Sequence, residues 1–122
     1  MLEKANIERL KKISQKIDCI FQICKNDIKK ALRDEYVLQP AIMMKFINID
    51  ELVKGIQKSN DLEALAVFNK EEIGAFNKTR NIASHEYDEI DFDLIEMAIK
   101  DYLPPLKEKL DNVIKKYYEN DK

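Results

Sequence analysis

Val37-Leu38-Gln39-Pro40-Ala41-Ile42-Met43-Met44-Lys45-Phe46-Ile47-Asn48-Ile49-Asp50-Glu51-Leu52-Val53-Lys54-Gly55-Ile56-Gln57-Lys58 is the stretch that decides the fold. Its apolar residues Ile42, Phe46, Ile49, Val53 and Ile56 alternate steps of four and three, the period of one helical face. A strand would need steps of two. Pro40 falls in the first turn, where a missing amide hydrogen costs nothing. Met43 and Met44 flank the stripe as adaptable packing residues. Gly55 weakens the last turns modestly.

The same period extends outward. Ahead of it, Ile7, Leu10, Ile13, Ile17, Ile20 and Cys24 mark a first amphipathic helix, with lysines and glutamates on the other face. Asn26-Asp27 offers a break or an N-cap, and Ile28, Ala31 and Leu32 carry a short continuation over residues up to 33. Behind it, Ser59-Asn60-Asp61 reads as a turn, followed by a helical piece from Leu62 to Phe68. Asn69 then caps a third helix, with Glu72 in capping-box position. This gives Glu71 and Glu72 a structural role at a helix N-terminus; nothing nearby completes a catalytic site around them. The third helix runs through Ile73, Phe76 and Asn77 into Arg80–Tyr87.

Asp88 to Asp93 is acidic and holds the next boundary, with Asp91 as the expected cap. The last helix carries Phe92, Ile95, Ile99, Leu103, Leu106, Leu110, Val113 and Tyr117. Pro104-Pro105 interrupts it: proline lacks the amide hydrogen and its ring clashes one turn back, so a kink or break is expected after Leu103. The reading is all-α, an up-and-down bundle of four main helices, some kinked or broken, as one domain over residues 1–122.

Composition narrows the function. Charged residues make up 36% and the formal net charge is -2, without the basic excess of a domain that coats nucleic acid. RNA binding would have to rest on a local cationic site, for which a few phosphate contacts suffice. Cys19 and Cys24 point about 140° apart on a helix, which disfavours a disulfide. No further Cys or His cluster completes a zinc site, so no metal and no cofactor is expected. No apolar run approaches the ~20 residues of a membrane span, and the charged start Met1-Leu2-Glu3-Lys4 has no signal-peptide core behind it. A cytoplasmic protein is expected.

The densest chemistry lies in Arg80-Asn81-Ile82-Ala83-Ser84-His85-Glu86-Tyr87. Arg80 is one of three arginines, and His85 is the only histidine, hence the only side chain that ordinarily titrates near neutral pH. On a straight helix Arg80, Ser84 and Tyr87 form one strip and Asn81 and His85 the adjacent one. The two strips converge on one ligand only where the helix ends or where two copies meet. Arginine offers a permanent charge and a fork of donors suited to phosphate; histidine can take or give a proton. The pair suits metal-independent RNA cleavage, in which the 2′-hydroxyl attacks phosphorus while arginine stabilises the developing phosphoryl charge. The plain alternative is a surface or core histidine with no catalytic task.

Arg80-Asn81…His85-x-Tyr87 resembles the Arg-x4-His-x-Tyr signature of HEPN-domain proteins, specifically the HepT-like toxins. The helix start at 69–73, Ile90-Asp91-Phe92 and Leu103-Pro104-x-Leu106-Lys107 fit as well. The resemblance is good over residues 38–115 and weak in the N-terminal helix. It implies an all-α homodimer whose cleft holds Arg and His from both protomers, acting as the ribonuclease toxin of a type VII toxin–antitoxin pair. It further implies a cognate minimal nucleotidyltransferase antitoxin that transfers AMP from ATP to the motif tyrosine. Carried over by position, Arg80 and His85 are catalytic, Asn81 and Ser84 supporting, and Tyr87 the modification site. The acidic Glu86, Asp88 and Glu89 caution against strong RNA binding. The rival readings are a non-catalytic helical partner of a nucleotidyltransferase and a purely structural helical dimer.

Overall fold

The computed structural model describes residues 2–84 and 92–120, Ala83 and Ser84 by their backbone alone. Among the described residues seven α-helices follow in order: α1 (Lys4–Cys24), α2 (Ile28–Arg33), α3 (Leu38–Ser59), α4 (Leu62–Leu65), α5 (Lys70–Ser84), α6 (Phe92–Met97) and α7 (Leu103–Asn120). No strand occurs among the described residues. The all-α expectation holds. The short helical piece after the turn is tighter than its apolar residues suggested, ending at Leu65.

The core is built from the stripes. Ile7, Leu10, Ile13, Ile17 and Ile20 of α1 are fully buried against Ile42, Phe46, Ile49 and Ile56 of α3, and Leu103, Leu106 and Leu110 of α7 close the cluster. α1 packs chiefly on α3 and α7, and α3 on α5. Cys24 is buried and its thiol is pushed up by desolvation, which leaves it inert; Cys19 and Cys24 are both free. Met43 is buried beside the stripe, whereas Met44 is exposed.

Caps set the boundaries. Asp27 accepts the Lys30 N–H at the start of α2, and Asp61 accepts the Ala64 N–H at the start of α4. Asn60 ends α3 in the left-handed conformation at φ 57°, which asparagine tolerates. Asp61 also accepts from the Glu3 N–H and from Asn6 Nδ2, both at 3.0 Å, which ties the chain start to the α3–α4 turn. On the far side of α1, Lys107 Nζ donates to Asp111 Oδ2 (2.6 Å) and Ser14 Oγ (2.8 Å) and approaches Asp18 at 3.3 Å. Ser14 in turn donates to Asp111 Oδ1 at 2.7 Å, which pins α7 along α1.

Pro104-Pro105 does not break the last helix. α6 passes into α7 through a π-helical turn, Ala98–Tyr102, where the Leu103 N–H reaches back five residues to the Ala98 carbonyl. Widening the turn ahead of the prolines gives the preceding carbonyls room beside their rings, so the helical hydrogen bonding is adjusted before Leu103 rather than broken after it. Ile99 within the turn and Leu103 just after it stay in the core.

Gly55 has a role beyond its helix propensity. A Cβ there would stand 2.9 Å from Arg9 Nε, so the glycine lets the Arg9 side chain cross α3 closely. Arg9 Nη1 then donates to Asn6 Oδ1 at 2.6 Å.

Candidate active site

α5 begins with a reciprocal capping box. The Glu72 N–H donates to Asn69 Oδ1 at 2.7 Å, and the Asn69 N–H donates to Glu72 Oε1 at 2.8 Å. Glu72 is buried, and Lys109 of α7 meets its carboxylate at 2.9 Å. This glutamate fixes a helix start and docks α7 there, as the sequence reading assigned to the N-terminus. Phe76 then packs on Phe46 with ring centroids 6.2 Å apart.

One turn beyond each ring stands a charged residue. Phe46 is followed four residues later by Asp50, and Phe76 by Arg80, so an ion pair borders the aromatic contact. Asp50 is 2% exposed. Arg80 Nε approaches its Oδ2 at 3.4 Å, and Lys54 Nζ, one turn along α3, approaches the same oxygen at 2.8 Å. The contacts are Coulombic rather than aligned: neither Asp50 Oδ2 nor Arg80 Nε has a hydrogen bond of good geometry. The Arg80 side chain is 36% exposed, with its inner part held in the bundle and its remaining surface open to solvent. Such a cation is oriented in advance, the condition for stabilising charge that builds up during a reaction.

Of the remaining sequence candidates, only Asn81 is described with its side chain. Asn81 is exposed, next to the half-buried Arg80, in keeping with two adjacent strips. Ser84 is the last described residue of α5. His85 and Tyr87, the Asp91 cap and the acidic Glu86, Asp88 and Glu89 lie outside the described residues. Among the described residues, no group of three His, Cys, Asp or Glu side chains is arranged to hold a metal ion, and no helix is long and apolar enough to cross a membrane.

The sequence reading does not single out Asp50 or Lys54. A signal for Asp50 was present: it lies four residues after Phe46 and three before Val53, on the apolar stripe itself. A carboxylate there is buried, and a buried charge needs a partner. Lys54 follows by helical spacing. A hollow of about 520 Å³ lined by Leu2, Glu63, Ala66, Val113, Lys116, Tyr117 and Asn120 involves no residue of α5 and stands apart from this cluster.

A family model described as ribonuclease HepT-like matches residues 5–113. The chain belongs to the HepT-like ribonuclease family. The match takes in α1, so the N-terminal helix, where the sequence resemblance is weak, is part of the HepT-like unit. It also spans Asp50, Lys54 and the whole Arg80–Tyr87 motif. Neither the curated proteins nor the solved structures gave a match.

Proposed function

We propose that the protein is the ribonuclease toxin of a toxin–antitoxin pair, with Arg80 and His85 as its catalytic residues. One observation carries the reading: the motif arginine is held by a buried carboxylate yet keeps a solvent-facing surface, as a phosphate-binding cation requires. Membership of a ribonuclease family supplies the chemistry. His85, five residues on, takes the proton from the ribose 2′-hydroxyl or gives one to the leaving oxygen. Arg80 stabilises the charge on the phosphoryl oxygens in between. Two copies meet so that each cleft draws Arg80 and His85 from both protomers. Asn81 and Ser84 support the site. A nucleotidyltransferase antitoxin silences it by adding AMP to Tyr87.

RNA cleavage by the purified protein in EDTA tests this. The expected products end in 2′,3′-cyclic phosphate, and His85→Ala lowers the rate by about 10²–10⁴-fold. Arg80→Ala costs about 10²–10³-fold through lost charge stabilisation. Wild-type cleavage by His85→Ala would remove the assignment and leave a helical partner of a nucleotidyltransferase as the better account.

A further inference from the structure

Among the described residues, the cluster around Asp50 holds one cation more than its carboxylate needs. Asp50 lies on the buried face of α3 with 3% of its side chain exposed, and both Arg80 and Lys54 converge on its Oδ2. Arg80 alone would balance the buried charge. With Lys54 added, the three formal charges sum to one positive charge, and it faces outward: the two cationic side chains are 36% and 43% exposed. In a chain of net charge -2 this excess is local. An Asp–Lys pair four residues apart on a helix is common at surfaces and contributes little. Here the acid is buried and shared with an arginine from a second helix, which a surface pair does not require.

We infer that Lys54 is a phosphate-binding residue of the RNA site, gripping together with Arg80 one backbone phosphate of a single-stranded RNA above the buried Asp50 carboxylate. The inference rests on the ribonuclease reading and adds a residue to it. Arg80 Nε and Lys54 Nζ approach the same oxygen, at 3.4 and 2.8 Å, so the two cationic groups stand side by side; Nε itself is buried, and a phosphate would meet the guanidinium through its Nη nitrogens. One phosphate group can bridge the pair with two of its oxygens. Lysine binds phosphate as a point charge at the end of a flexible stem. Tethering its ammonium to Asp50 removes part of that freedom before RNA arrives, which lowers the entropic cost of the contact. The remaining side of Arg80 stays available to the reacting phosphate or its neighbour.

The test measures binding apart from cleavage. In the His85→Ala background, affinity for a fluorescent single-stranded RNA oligonucleotide is titrated against salt, and cleavage is measured separately with His85 intact. Removing one phosphate contact on a single strand should lower the slope of log affinity against log salt by about 0.7, or about fivefold in affinity at 0.1 M salt. Lys54→Gln should show that loss and raise KM with kcat little changed. Lys54→Arg should restore both, and Lys115→Gln, at an exposed position on α7, should change neither. Circular dichroism and a thermal midpoint establish that each variant is folded. Unchanged affinity and slope in Lys54→Gln, with wild-type cleavage present, overturns the phosphate grip and leaves the ribonuclease reading standing. A lowered slope in a protein that cleaves no RNA keeps the grip and removes the ribonuclease reading. Absence of RNA binding by the His85→Ala protein overturns the grip directly.

Discussion

Arg80 Nε on α5 lies 3.4 Å from Oδ2 of Asp50 on α3, and Asp50 is buried while Arg80 reaches solvent. The carboxylate therefore acts on the motif from beneath. It holds the Nε of Arg80 in the bundle while part of the side chain stays exposed. The first residue of the family motif, Arg80, is thus held by a residue thirty positions earlier.

Replacing that carboxylate should cost stability and activity together. Asp50→Asn keeps the shape but removes the charge, leaving Arg80 half-buried without its counterion. Breaking a fully buried pair costs about 3–5 kcal/mol; with both cations partly solvated, about 1–3 kcal/mol is expected. Urea unfolding measures the loss. RNA cleavage should fall through kcat as Arg80 loses its orientation, and the drop should persist at temperatures where the variant is fully folded. If kcat is unchanged there, Asp50 is only a structural residue.

The two glycines should respond differently to alanine. Gly74 lies within α5 with nothing within 4 Å of an added Cβ, so Gly74→Ala should stabilise by about 0.5–1 kcal/mol. At Gly55 the same propensity gain is offset, because the new methyl displaces Arg9 from its 2.6 Å bond to Asn6. A net change near zero or a small loss is expected. Chemical denaturation of the two variants side by side decides; equal stabilisation would mean that Arg9 moves aside at no cost.

Stability should decline on the acid side. Burial pushes the Asp61 and Asp111 carboxyls up, but hydrogen bonds hold both below the usual carboxylate range. They come from the Glu3 N–H, Asn6 and the Ala64 N–H for Asp61, and from Lys107 and Ser14 for Asp111. A depressed folded pKa means that the unfolded chain binds the proton more readily. The contribution is therefore full above the unfolded value of about 3.9 and is lost as pH falls through the folded values. The urea midpoint should hold from pH 7 to about 5 and drop below about 4, and the Asp61→Asn/Asp111→Asn double variant should show a shallower drop. An equally steep drop would place the acid sensitivity elsewhere.

The proposed control by modification would turn on Tyr87. An AMP group on its oxygen would bring a phosphodiester beside Arg80, where it could pair with the guanidinium and exclude RNA phosphate. Incubation with ATP and the cognate nucleotidyltransferase should add whole AMP units at Tyr87 and abolish cleavage. Tyr87→Phe should keep cleavage and escape control. If the partner neutralises Tyr87→Phe as well as wild type, and intact mass shows no adduct, simple binding replaces modification.

What the sequence by itself determined is everything that depends on residues three or four apart. The stripes of α1 and α3, the Asn69–Glu72 capping box and the place of Pro40 in the first turn of α3 are local, and local periodicity and side-chain chemistry suffice to read them. The chemical density of Arg80–Tyr87 was legible for the same reason, as a short run of the sequence. Only the tertiary structure decided the rest. That Arg80 meets Asp50, that Gly55 makes room for Arg9, and that Lys107 joins Ser14 to Asp111 all depend on which helix faces lie together. The two prolines show the same limit: their chemistry alone argued for a break. Ile99 and Leu103 remain in the core, and the helix yields by widening one turn. Propensity sets a local preference of a few kcal/mol at most, and burial within and just after the turn outweighs it.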